Sequence, residues 1–85
     1  MRDHDRVRAQ LKAIDRHIGA RLRLIRTRRE ISQSELGSYL GVSFQQVQKY
    51  EQGRNRLSAS RLLLLSKCCH VPLHFFFQRM KTESG

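Results

Sequence analysis

With 85 residues, 17 Lys and Arg against 7 Asp and Glu, and a formal net charge of +10, the chain is expected to be one small basic domain without room for a separate sensor or catalytic unit. Charge of that size and sign points to a polyanionic partner, and arginine, suited to bidentate phosphate contact, supplies most of it. No apolar run is long enough to span a bilayer, MRDHDRVRAQ lacks the apolar core of a signal peptide, and the neighbouring Cys68 and Cys69 are ill placed to bond each other, so the expected compartment is a reducing cytoplasm.

Residues 1–15 are dense in charge, yet Val7, Leu11, Ile14 and Ile18 fall at helical spacing. Two readings stand: a basic helix running straight into the first domain helix, or a frayed arm with Asp15 capping a helix that starts near Arg16. The expectation is a charged, partly helical arm over 1–15 that brings arginines toward phosphates or a minor groove, followed by the domain proper over 16–80. From Arg16 to Arg29 the residues Ile18, Leu22 and Ile25 make an apolar stripe. Arg21, Arg23, Arg26, Arg28 and Arg29 surround it, with Arg23, Arg28 and Arg29 as weaker phosphate candidates.

The stretch Ile31–Gly53, ISQSELGSYLGVSFQQVQKYEQG, carries one helix-start pattern twice. Ser32 precedes Glu35 by three residues and Ser43 precedes Gln46 by three, the spacing of a capping box, in which a hydroxyl accepts from the N3 backbone N–H and the N3 side chain reaches back to the cap. Ile31 with Leu36, and Val42 with Val47, supply the accompanying hydrophobic staples. Two short helices therefore begin near Gln33 and Phe44. Gly41 lies where the first must end in a left-handed turn, and Gly37 leaves space for close approach of another helix. Leu36, Leu40, Val42, Val47 and Tyr50 form the buried seam of a helix-turn-helix.

The outer face of the second helix carries Phe44, Gln45, Gln48, Lys49 and Gln52, amides and a cation without a carboxylate. Amides can bond adenine bidentately and lysine can bond guanine or phosphate, so Phe44, Gln45, Gln48 and Lys49 are the expected base contacts in duplex DNA. Phe44 has two readings, packing on a thymine methyl or folding back over Val47. Gln33 sits at the first turn of its helix, whose positive end suits a phosphate. Gln33, Ser43, Gln52, Arg54, Asn55 and Arg56 are the expected contacts to the DNA backbone, which position the protein without reading sequence.

Ser58 starts another helix, stapled by Leu57 and Leu62, with Ala59, Leu62, Leu65, Ser66 and Cys69 facing the core. Val71-Pro72 ends it and opens a last helix near Leu73 to Met80. Phe75, Phe76 and Phe77 fan too widely for all three to face one small core. Leu64, Phe75, Phe77 and Met80 are therefore the expected interface of a homodimer. KTESG at 81–85 is expected to be disordered. Cys69, His70 and His74 lack a second ligand cluster, so no metal is expected. Nor does any nucleophile–base pair or carboxylate dyad suggest an enzyme or a cofactor.

The combined pattern resembles the phage repressor and Cro proteins, the XRE family. Gln33, Leu36, Gly37, Leu40, Gly41, Val42, Ser43, Val47, Tyr50, Glu51 and Gly53 carry the resemblance, which extends to IGARLRLIR before and SRLLLLSKCCHVPLHFF after. It implies an all-α, five-helix lambda-repressor-like domain. It also implies that Arg26 pairs with Glu51 and that Gln33 touches the DNA backbone while bracing the recognition helix. Glu30 and His70 depart from it, standing where the family often has glycine after a helix. The function so implied is sequence-specific binding of double-stranded DNA by a dimeric transcriptional regulator, expected to repress. The alternative is an antitoxin-type protein that binds a toxin and autoregulates through DNA.

Overall fold

In the computed structural model, which describes residues 2–80, the chain is all-helical: α1 (Asp3–Arg28), α2 (Gln33–Leu40), α3 (Phe44–Glu51), α4 (Ala59–Cys68) and a closing 3₁₀ helix (Leu73–Phe77). The fifth helix is thus a single short 3₁₀ element, not an α-helix reaching Met80. The expectation for 81–85 lies outside the described residues. No described helix is long and apolar enough to cross a membrane.

The partly helical arm and the first domain helix prove to be one continuous 26-residue helix. Asp15 does not cap it; its carboxylate accepts from Arg56 Nε at 3.2 Å. Gly19, a glycine inside the helical stripe, does not break it. A Cβ there would run into the carbonyl of Tyr50 and come within 2.7 Å of that of Glu51, so the missing side chain is what lets α1 rest on the end of α3. Glycine there costs the helix about 1 kcal/mol of propensity relative to alanine.

The expected helix starts are present. Ser32 accepts from Glu35 N–H at 3.0 Å while the Glu35 carboxylate accepts from Ser32 N–H at 2.9 Å, a complete capping box. The Ser32 backbone N–H first, and its hydroxyl second, hold the Glu35 carboxyl below its ordinary range. Ser43 accepts from Gln46 N–H at 3.2 Å and Ser58 from Arg61 N–H at 3.2 Å, in each case the serine half of the arrangement. The space at Gly37 is filled by the turn rather than by another helix: a Cβ would lie 2.6 Å from Val42 O.

All four α-helices end in the same way. A residue with positive φ follows each of them, namely Glu30 (56°), Gly41 (74°), Gly53 (71°) and His70 (55°). The next N–H then reaches back in a Schellman bond, from Ile31 to Arg26 O, Val42 to Gly37 O, Arg54 to Lys49 O and Val71 to Ser66 O, at 2.9–3.1 Å. Glu30 and His70 therefore adopt the left-handed turn without glycine, at about 1 kcal/mol each.

The core gathers Leu22 and Ile25 of α1, Leu36 and Leu40 of α2, Val47 and Tyr50 of α3, Leu62, Leu65 and Cys69 of the α4 region, and Phe75 and Phe76. Ala59, expected inside, is exposed. Burial pushes the Cys69 thiol up to about 11. The 3₁₀ turn explains the three phenylalanines. At three residues per turn they point about 120° apart. Phe75 and Phe76 turn inward and meet edge to face at 5.6 Å, whereas Phe77 stays 43% exposed. Phe75, expected at a dimer interface, is instead part of this chain's own core. Arg21 closes over it, its guanidinium 3.9 Å from the ring centre and its Nε donating to Phe75 O at 2.9 Å.

Candidate nucleic-acid interface

Helix α3 is held at both ends, and this fixes where its outer face looks. At its start, Ser43 caps and the α2 turn packs beneath. At its end, Glu51, with a side chain only 4% exposed, accepts from Arg26 Nε, from Arg26 Nη2 at 3.2 Å and from Gln33 Nε2 at 3.0 Å. Arg26 Nη1 also donates to Ile31 O at 2.9 Å, so one guanidinium joins α1, the α1–α2 turn and α3. The Arg26–Glu51 pair implied by the resemblance is present. So is the bracing by Gln33, whose amide is committed to Glu51.

Between these anchors Val47 and Tyr50 are buried, while Phe44, Gln45, Gln48, Lys49 and Gln52 are exposed. Phe44 is 44% exposed and so does not fold back into the core over Val47. The outward face thus presents an aromatic ring, amide groups and one cation on a helix that cannot easily rotate. Ser43 lies exposed at its start, and Arg54 and Asn55 lie exposed beyond its end. The backbone N–H groups of both Arg54 and Asn55 turn in toward Lys49 O, at 2.9 and 3.4 Å. Arg56 is less free than the sequence suggests, because Asp15 takes its Nε.

A groove of about 550 Å³ runs between α1, the start of α2 and α3, lined by Arg23, Arg26, Ser32, Gln33, Gln48, Glu51 and Gln52. With Glu51 neutralised by Arg26, the free charge on the groove is that of the exposed Arg23. Arg23, a weaker candidate from sequence, therefore stands beside the amides of α3. Arg29 is drawn away, its Nε donating to Cys69 O at 2.9 Å. The arrangement suits a phosphate at the positive end of α2 and base edges along α3. Among the described residues no cluster of three or more His, Cys, Asp or Glu side chains is placed to hold a metal ion.

The residues that sequence reasoning missed are those that orient the site from a distance, Asp15 and Gly19. Gly19 had a readable signal, a glycine inside a helical stripe. Asp15 reads as a helix cap, and nothing in its spacing points to Arg56.

Comparison with known proteins agrees with this geometry. A family model described as helix-turn-helix matches residues 22–76. A protein of Sinorhizobium medicae, named an uncharacterized HTH-type transcriptional regulator, is 50% identical over 72 residues, which cover 85% of this chain and 52% of the relative. A Rhodospirillum rubrum protein, named an uncharacterized transcriptional regulator in the ATPase CF(0) region, is 48% identical over 68 residues, or 80% of this chain and 63% of that one. The chain thus spans about half the length of the first of these relatives. Among solved structures, the restriction-modification controller protein C.AhdI from Aeromonas hydrophila superposes with a TM-score of 0.68 at 28% identity, covering 81% of this chain and 98% of that one. The chain belongs to the helix-turn-helix family of DNA-binding proteins, of the phage repressor and Cro (XRE) type.

Proposed function

We propose that this chain binds double-stranded DNA sequence-specifically and regulates transcription as a homodimer, acting as a repressor by occupying a promoter. The observation that carries the reading is the carboxylate-free outer face of α3, fixed by Ser43 at one end and by the Arg26–Glu51–Gln33 cluster at the other. Gln45, Gln48 and Lys49 read bases and Phe44 offers its exposed ring to a thymine methyl. Gln33, Ser43, Gln52, Arg54, Asn55 and Arg56 position the helix, with Arg56 using the guanidinium edge that Asp15 leaves.

The dimer reading rests on apolar surface outside the core: Leu64 and Phe77 are 40% and 43% exposed, and Met80 is half-buried. The two-fold axis of such a dimer requires a palindromic operator with half-sites about one turn apart, roughly 34–36 Å.

Selection from a random duplex library tests the reading. Gln45→Ala is expected to cost about 1–3 kcal/mol on the selected site and to relax one base pair. Arg54→Ala is expected to weaken all sequences alike and to flatten the salt slope by about one unit. No enriched sequence, or an unchanged one with Gln45→Ala at unchanged affinity, refutes the assignment of α3. Sedimentation of wild type and Phe77→Asp tests the dimer. A Phe77→Asp protein that still dimerises refutes the interface, and a toxin-like second chain co-purifying through Phe77 favours the antitoxin reading.

A further inference from the structure

We infer that the N-terminal half of α1 is a second DNA-contacting element, in which Arg8 and Lys12 hold backbone phosphates outside the stretch read by α3. This rests on the DNA-binding reading above and extends the contact surface beyond the helix-turn-helix. The inference starts from the continuity of α1. Its second half packs on α3, and its first half continues as the same helix before Asp15, which meets Arg56 of the α3–α4 turn. Residues 2–10 are all exposed, and the molecule is 41 Å long against 23 and 19 Å across.

The direction of that projecting half follows from helix arithmetic. Asp15 meets Arg56, Gly19 meets the carbonyls of Tyr50 and Glu51, and Arg26 meets Glu51, so these three positions mark the line of α1 that faces the end of α3 and the turn after it. Arg8 lies about five full turns before Arg26, on the same line, and Lys12 lies within roughly 40° of it. Both are exposed. Among the described residues neither has a carboxylate partner within 4.0 Å, whereas Asp15, the acid on that line, is already neutralised by Arg56. Lys12 and Arg8 stand about 5 and 10 Å beyond Asp15 along the axis. They lie beyond the Asp15–Arg56 pair on the same line, where a duplex seated on α3 and running along α1 would meet them.

The side of α1 next to this line carries Val7, 49% exposed, with Leu11 and Ile14 half-buried. A second copy could cover that stripe, and the test separates that occupant from DNA. Charge favours DNA for the line itself: Arg8 and Lys12 would face the same cations of another copy's line, whereas phosphates complement them.

The experiment compares the full chain with Arg8→Ala/Lys12→Ala and with Arg2→Ala/Arg6→Ala. The latter removes the same charge from roughly the far side of the helix. Each is titrated by fluorescence anisotropy against the library-selected duplex, both trimmed to the selected site and extended by about one turn on each side, between 50 and 200 mM salt. On the extended duplex, wild type is expected to lose about tenfold more affinity over this range than Arg8→Ala/Lys12→Ala, the effect of about two phosphate contacts. On the trimmed duplex the two should converge, and the selected sequence should not change. Arg2→Ala/Arg6→Ala should behave as wild type, and circular dichroism should show equal helix content in all three.

Equal salt dependence of wild type and Arg8→Ala/Lys12→Ala on the extended duplex overturns the inference while leaving the base-reading role of α3 intact. So does an equal loss from Arg2→Ala/Arg6→Ala, which would mark a mere net-charge effect. A changed sedimentation coefficient for Arg8→Ala/Lys12→Ala without DNA also overturns it, assigning the line to a second copy. Failure of wild type to bind any duplex overturns both readings.

Discussion

Removing the Glu51 carboxylate should weaken the fold far more than an exposed ion pair would. Glu51→Leu takes away the acceptor for two Arg26 nitrogens and for the Gln33 amide, in a place where the two charged side chains are 4% and 13% exposed. Loss of one partner of a buried pair costs about 3–5 kcal/mol, because the other charge is left desolvated. Arg26 keeps Ile31 O and slight access to water, which sets the expectation at the low end, about 3 kcal/mol. A domain of this length has about 4–12 kcal/mol of stability in all, so this single change removes a large share of it. Urea unfolding reads the loss directly: with a slope near 1 kcal/mol/M, the midpoint should fall by about 3 M. Arg26→Met should cost about as much, and the Arg26→Met/Glu51→Leu double variant should recover most of the loss, since both charges are gone. A coupling energy under about 0.5 kcal/mol in that cycle would show that the pair does not tie α1 to α3.

Other substitutions separate close packing from backbone conformation. Gly19→Ala gains about 1 kcal/mol of helix propensity but drives a methyl into the carbonyls of Tyr50 and Glu51, so a net loss of about 1–2 kcal/mol is expected, seen as a fall in Tm of roughly 4–16 °C; a raised Tm refutes the close approach. At Gly41 an added Cβ meets nothing within 4 Å, so only the positive φ resists: Gly41→Val should cost about 1–3 kcal/mol and Gly41→Asn distinctly less, and equal melting of the two would contradict the left-handed turn. Cys69, fully buried with its thiol pushed up to about 11, should resist a disulfide reagent at neutral pH until denaturant is added, while half-buried Cys68 reacts first; equal native rates refute the placement.

Much of the fold was legible because its signals are local. Ser32 before Glu35, Ser43 before Gln46 and Ser58 between the staple residues Leu57 and Leu62 each act within about one turn of chain, and α2, α3 and α4 start where those signals stand. The face of α3 was legible for the same reason, since five exposed side chains and two buried ones follow one helical period. The pair Arg26–Glu51 was reached through family resemblance, and nothing in the spacing of the two residues announces it. What was not legible depended on contacts far apart in sequence. Gly19 and Asp15 look like reasons to interrupt α1 until Tyr50 and Arg56 are brought beside them. Phe75 looked surplus on an α-helical wheel, and the 3₁₀ geometry after Pro72 turned it inward.

The left-handed turns at Glu30 and His70 bear on how much of this protein a cell would hold. Each stores about 1 kcal/mol in a position where glycine would store little. Both lie outside α3 and its outer face. A change at either site therefore alters the unfolded fraction exposed to proteases, and with it the steady-state number of copies, while the side chains on the outer face of α3 keep their places. Abundance and the outer face of α3 are thereby adjustable at separate positions, so the number of folded copies can drift while the surface proposed to read bases stays the same.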